Sequence, residues 1–178
     1  QHIENCIRRL GELGIEADLI MMHPYDRWGF SQMTREQDDL YWNYAVARLV
    51  HLQMSGGHWQ TSMIFCHTRL LTIGNIMRRF FVEKDPYHHM RSIHNCISLY
   101  DFSKPWITHC SVQRTDLYKS AECTNELRER YRKPVVLDEI AYEGDIQHGW
   151  GNLTGEEMLR RFGKLPAEVV ICTEKLFK

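Results

Sequence analysis

The residues best equipped for chemistry stand together in Lys133–Gly151, KPVVLDEIAYEGDIQHGWG. A short apolar run, Pro134–Leu137, ends in two adjacent carboxylates, Asp138 and Glu139. Tyr142, a third carboxylate at Glu143 and Trp150 follow. A continuous β-branched run marks a strand buried in a parallel sheet. In α/β folds the functional groups gather just past the carboxyl ends of such strands. A carboxylate in that place, beside Tyr and Trp, suits glycosidic-bond chemistry. The competing reading is structural: either carboxylate would serve equally to cap a turn or pair with an arginine.

Other strand exits carry similar groups. Ala17–Met22 is apolar and runs into HPYDRWGF, which sets His23, Asp26 and Trp28 just beyond it. RSIHNC, Arg91–Cys96, reads as a strand ending at His94 and Asn95, and WITHCSV, Trp106–Val112, as one containing His109. Helices must position these strands. Ile3, Cys6, Ile7, Leu10 and Leu13 recur at helical spacing, and Gly14 is a natural stop. Thr34 and Gln37 form a capping box for a helix running to Leu49, and Thr154 and Glu157 form another for one reaching about Phe162. Arg78–Val82 is regular, Asp85-Pro86 breaks it, and Glu122–Tyr131 is a charged helix. Residues 50–77 and 164–178 fit neither period. Strands alternating with helices imply parallel βαβ units, an α/β fold. In a (β/α) barrel the polar strand ends would converge on one face.

Composition removes several classes. The net charge is -1 over 178 residues, so no basic field points to nucleic acid, and one domain is expected. No apolar run approaches a membrane span. No G-x-G-x-x-G or Walker motif is present, and the chemistry calls on no cofactor. Six cysteines without a C-x-x-C pair read as free thiols, which favours a reducing, cytoplasmic setting. Ten histidines, with His94 and His109 on neighbouring strands, keep a metal-dependent hydrolase open as an alternative. There is no H-x-H or H-E-x-x-H pair, no metal ligand is assigned, and His88-His89 reads as an exposed turn. The oligomeric state is not legible. The chain starts at Gln1, inside a helical pattern, and is read as a fragment.

Several stretches resemble one family when taken together: HPYDRWGF, DPYHHMRSIHN, SKPWITHCSVQ, RERYRKPVVLDE and YEGDIQHGWGNLTGEEMLRRF. They are similar to the apiosidase-like glycoside hydrolases, TIM-barrel enzymes related to the large retaining-glycosidase clan. The likeness covers most of residues 2–49 and 79–162. It implies a partial (β/α)8 barrel, third to eighth strands, forming a single incomplete catalytic domain over residues 1–178. It implies a carbohydrate substrate and no nucleic-acid or membrane partner. The family pattern makes Glu139 the nucleophile at the end of the seventh barrel strand. It sets the acid/base at the end of the fourth, in a segment like NVWWSLANEYD that this chain lacks.

Residues 50–77 stand in that segment's place, as an aberrant region. Gln53–Phe65, QMSGGHWQTSMIF, can be encoded so that a displaced reading frame yields NVWWSLANEYDF. The same displacement from Phe162 onward turns the end of the chain, residues 163–178, into a string like the family's eighth strand. The expectation is a frame that slips after about Leu49, recovers near Arg78 and slips again near Phe162.

On this reading Asp138 points away from Glu139, because successive strand side chains alternate, and is structural. His23, Asp26, His94, Asn95 and His109 would bond sugar hydroxyls, while Trp28, Tyr142 and Trp150 would stack on a ring. Core packing explains each aromatic alone equally well. Glu143 is a weaker candidate on the following loop. With no acid/base the chain is expected to be impaired or inactive; a non-catalytic carbohydrate-binding remnant is the further alternative.

Overall fold

A computed structural model describes residues 1–22, 29–52, 58–62, 74–76, 78–95, 99–113, 117–145 and 151–164. Helix α1, His2–Glu12, precedes strand β1, Asp18–Met22. Gly14 ends the helical turn at φ 71, a left-handed conformation that glycine adopts without a Cβ clash. Helix α2, Arg35–Leu49, follows, and strand β2, His58–Ser62, comes after it. A π-type helical segment, Arg78–Val82, leads to β3, Met90–Asn95, then β4, Cys110–Gln113. Helix α3, Leu117–Tyr131, leads to β5, Val135–Glu139. Two short strands, β6 (Tyr142–Glu143) and β7 (Gly151–Leu153), and helix α4, Gly155–Lys164, complete the described chain.

Local chemistry explains the helix starts. At α2 the Gln37 backbone N–H donates to Thr34 Oγ1 at 3.3 Å, and the Thr34 N–H donates to Gln37 Oε1 at 2.8 Å. Both halves of the capping box are made. At α4 the Glu157 N–H donates to Thr154 Oγ1 at 3.1 Å. The turn before β3 is built on Asp85, whose carboxylate accepts from the backbone N–H groups of Tyr87 at 3.0 Å and His89 at 2.8 Å. His89 is therefore buried, with Nδ1 3.0 Å from Asp85 Oδ1, and only His88 of the pair is exposed.

Strands β1 to β5 form one parallel sheet in chain order. Strands β6 and β7 pair only with each other, in a separate parallel ribbon. The expectation of a partial (β/α)8 barrel is corrected by this arrangement. A barrel needs its first and last strands to meet; here β1 and β5 are the two edges of an open sheet, and no closed barrel exists among the described residues. The aberrant reading of residues 50–77 also changes. His58–Ser62 lies between β1 and β3, hydrogen-bonded to both, so the translated sequence itself supplies a strand there. The structure gives the displaced reading frame no support.

The sheet has two unlike faces. Ile93, Cys110, Val112, Val135 and Leu137 alternate onto one of them and are buried, joining a core that includes Trp42, Phe80 and Phe81. Trp42 of α2 meets Phe81 edge-to-face, with centroids 5.4 Å apart. An Asp39–Arg79 ion pair ties the same two elements together. The other face carries Ser92, His94, Ser111 and Gln113, all buried. Among the described residues no helix is long and apolar enough to cross a membrane.

Candidate functional site

The polar face is richest at the carboxyl ends of β3, β4 and β5. His94 lies opposite Ser111 in the β3–β4 ladder, and Ser111 lies opposite Val136 in the β4–β5 ladder. Residues in register present side chains to the same face. Val136 and, by alternation, Asp138 therefore share the face of His94 and Ser111. The register then shifts. Val112 pairs with Leu137, but the next residue, Gln113, pairs with Glu139 and passes over Asp138. This is a β-bulge, two residues of β5 against one of β4. It brings Glu139 onto the face that Asp138 already occupies.

The expectation that Asp138 and Glu139 point apart is thus corrected. Both carboxylates reach one imidazole. His94 Nε2 is 2.9 Å from Glu139 Oε2, and His94 Nδ1 is 2.8 Å from Asp138 Oδ1. Ser111 Oγ donates to Asp138 Oδ2 at 2.6 Å and lies 3.2 Å from His94 Nδ1. The Tyr142 hydroxyl donates to Glu139 Oε1. All of these groups except Tyr142 are buried: His94 is 2 % exposed, Ser111 0 %, Asp138 5 % and Glu139 7 %. Burial by itself would push the imidazolium down. The charge of Asp138 and the hydrogen bonds to Asp138 and Glu139 outweigh it and raise the His94 pKa to about 9. The raised value keeps His94 protonated at neutral pH, between the carboxyl groups of Asp138 and Glu139.

The corner after β5 is held from two sides. Ala141 adopts φ 87, a left-handed conformation that costs a non-glycine residue of order 1 kcal/mol or more. That turn brings Tyr142 back to Glu139. Arg161 of α4 donates to the Ile140 carbonyl at 2.9 Å and to Glu157 Oε1 at 3.0 Å, so the last helix grips the corner.

Of the candidate residues, Glu139, His94 and Tyr142 come together. His109 does not join them. It precedes β4, its carbonyl accepts from Ser92 Oγ at 2.6 Å, and its Nδ1 is 2.9 Å from Thr108 Oγ1. That places it two residues before Ser111, toward the amino end of the sheet. Glu143 is exposed and its carboxylate lies against Gly155 at the start of α4, where a helix dipole favours an anion. Asn95 pairs with Val112 in the ladder, but its side chain lies outside the described residues, as do His23, Asp26, Trp28 and Trp150. Ser111 is the member that sequence reasoning missed, and it had a signal, since it alternates with His109 one step nearer the carboxyl end. Asp138 was named but set aside as structural, because the bulge that turns it to the face of Glu139 is a property of the pairing.

Serine, histidine and aspartate together invite comparison with a catalytic triad. The geometry differs: Ser111 donates to the aspartate, and both contact the same ring nitrogen, leaving Nε2 to Glu139. A triad would put the serine on the nitrogen opposite the aspartate. Among the described residues no group of three potential ligands is arranged to hold a metal ion, and both His94 nitrogens face carboxylates.

No protein-family profile matches the chain, and no curated protein matches it. A solved structure does. It is a putative glycoside hydrolase from Bacteroides vulgatus ATCC 8482, superposing with a TM-score of 0.84 at 34% sequence identity over 100% of this chain. The fold is glycoside hydrolase-like. The chain spans 36% of the length of that protein. The buried Glu139 cluster is therefore set in a glycoside hydrolase-like scaffold, and the likeness does not reach as fine as the apiosidase-like group.

Proposed function

We propose that the chain is a glycoside hydrolase-type catalytic unit of the apiosidase-like kind, in which Glu139 is the nucleophile of a retaining reaction on an O-glycosidic bond of a carbohydrate. The observation that carries this reading is the environment of Glu139. It is a buried carboxylate at the carboxyl end of a parallel strand, with an imidazolium on one oxygen and a phenol on the other. A retaining nucleophile attacks the anomeric carbon and later leaves it. Fixed donors orient its lone pairs and take up charge as the glycosyl bond breaks. His23, Asp26, Trp28 and Trp150, in the connections after β1 and before β7, are the residues proposed to contact the sugar.

The same reaction needs a second carboxyl group roughly 5–5.5 Å from the first as acid and then base. Asp138 does not qualify, because the His94 ring stands between it and Glu139. Strands β2, β3 and β4, with sequences HWQTS, MRSIHN and CSVQ, contain no carboxylate. Glu143 is turned to α4. On the described strands no second carboxylate takes that place, so we read the described residues as holding the nucleophile half of a site, with little turnover of ordinary glycosides expected. General acid–base catalysis contributes about 10²–10⁴-fold, which is the deficit expected. The reading-frame displacement inferred for residues 50–77 and 163–178 rests on the family resemblance alone, and sequencing the source DNA across both tests it.

A nucleophile without its acid still reacts with a leaving group that needs no protonation. Incubation with a panel of 2,4-dinitrophenyl 2-deoxy-2-fluoroglycosides should add one glycosyl group, located at Glu139 by peptide mass spectrometry and absent in Glu139→Gln. Absence of an adduct across hexoside and pentoside panels, with the protein folded, would refute the assignment. Rapid turnover of an unactivated glycoside would instead refute the missing acid.

A further inference from the structure

We propose that Asp138 is a positioning residue for Glu139: fixed by Ser111 on the face that both carboxylates share, it holds the His94 ring so that Nε2 is aimed at Glu139 Oε2. The proposal deepens the reading of Glu139 as nucleophile and rests on it for its kinetic consequence. Its geometric part stands separately.

Three observations carry it. First, the β5 bulge sets Asp138 and Glu139 on one face although they are adjacent in sequence. Adjacent residues on a regular strand cannot serve one ring from its two ends. Second, the two oxygens of the Asp138 carboxylate meet different groups. Ser111 Oγ donates to Oδ2 at 2.6 Å, and Oδ1 is left 2.8 Å from His94 Nδ1. Third, the assembly is buried, with His94 2 % exposed and its two anions 5 % and 7 % exposed. A buried anion that is neither at the reacting atoms nor paired would be strongly destabilising.

The tautomer and orientation of a histidine are set by what its other nitrogen contacts. With an anion at Nδ1, that nitrogen carries a proton and the ring charge is favoured, so Nε2 also carries a proton and donates to Glu139. Remove the anion, and among the described residues Nδ1 is left with Ser111 Oγ, which acts equally well as donor or acceptor. A neutral ring then has a tautomer in which Nε2 holds a lone pair, and that tautomer turns an acceptor toward the Glu139 carboxylate. Asp138 excludes it. Among the described residues, the groups facing His94 are Asp138 and Glu139 from β5 and Ser111 from β4, with Tyr142 acting on the far oxygen of Glu139. Outer partners of this kind typically change activity about 10–100-fold when lost from metal-bound histidines. A comparable effect is expected here, because the consequence is the same loss of ring orientation.

The test uses protein labelled with 15N-histidine and long-range proton–nitrogen correlation spectra across pH, with His94 assigned by its absence in His94→Gln. In the wild type, His94 should show both nitrogens protonated through neutral pH. In Asp138→Asn its titration midpoint should fall by about one pH unit or more, a roughly tenfold loss of proton affinity. Labelling of Glu139 by the dinitrophenyl fluoroglycoside should slow by about tenfold or more. Asp138→Glu should recover part of both. Ser111→Ala should move the midpoint in the same direction by less. A wild-type His94 that titrates near its ordinary value overturns the proposal without any variant, which covers the case of an Asp138→Asn protein that does not fold. A midpoint identical in wild type and Asp138→Asn overturns it too. A lowered midpoint in a protein whose Glu139 is never labelled supports the positioning and refutes the nucleophile.

Discussion

Replacing His94 by glutamine should remove a pH-dependent part of the folding stability. The ring is nine-tenths buried or more and holds its proton up to about pH 9 in the folded chain, against an ordinary value of 6.5. Each pH unit of difference is worth about 1.4 kcal/mol, so the tighter hold corresponds to about 3 kcal/mol. The sign follows from linkage. Below about pH 6.5 the histidine is protonated whether folded or unfolded, and the full contribution is present. As pH rises through the interval the unfolded chain releases the proton while the folded chain keeps it, and stability falls. Above about 9 both have lost it and the contribution is gone. Urea unfolding at about pH 6, 7.5 and 9.5, on wild type and His94→Gln, reads the effect of the cluster, because titrating groups that do not contact His94 are common to both proteins and cancel in the difference. The difference should be largest at pH 6 and shrink by about 3 kcal/mol by pH 9.5. A difference that stays flat across the range would mean that His94 is not a buried cation between two anions, and the reading of the cluster would fall with it.

Three further outcomes are expected. Tyr142→Phe removes a donor to Glu139 and should cost about 1–2 kcal/mol, by chemical denaturation, while slowing the labelling of Glu139. Thr34→Ala removes one half of the α2 capping box and should cost about 1 kcal/mol, with Thr34→Ser restoring most of it. Gly144→Ala should destabilise the β6–β7 ribbon. Gly144 has φ 155, and an added Cβ would come within 2.9 Å of the Gly151 carbonyl oxygen, so a loss of about 1–3 kcal/mol is expected. Because the ribbon holds Tyr142, the same variant should also label more slowly.

What the sequence made legible was local. The α2 capping box is set by residues three apart, and it forms as read. The apolar run before Asp138 is β5, and Glu139 stands at its end. Asp85-Pro86 breaks the preceding helix because the chemistry of that break lies within a few residues. What was not legible depends on partners distant in sequence. WITHCSV looks like one strand, yet the ladder with β5 starts at Cys110 and that with β3 at Ser111, which leaves His109 below the site instead of in it. His89 looks like half of an exposed pair until Asp85 draws it inward. The open sheet follows from whether β1 meets β5, and no single stretch encodes that. Residues 58–62 have no clear strand period, but two neighbours with unmet backbone groups hold them as β2.

The failure at Asp138 and Glu139 is the most instructive, because alternation is among the firmest rules in sequence reading. Applied strictly, it would send Glu139 to the face of Ile93, Val112 and Leu137, where an ionised carboxylate would have no partner. Several kcal/mol of desolvation would then stand uncompensated. The strand escapes this by slipping one residue against β4, and among the described residues the slip is stabilised by groups outside β5: the imidazole of β3, the hydroxyl of β4, the phenol beyond the corner, and Arg161 holding the Ile140 carbonyl. A bulge weakens local pairing, so it persists where other contacts repay it. Here those contacts are the candidate site itself. The irregularity and the cluster therefore explain one another: without the cluster the bulge has no support, and without the bulge the two carboxylates cannot share His94.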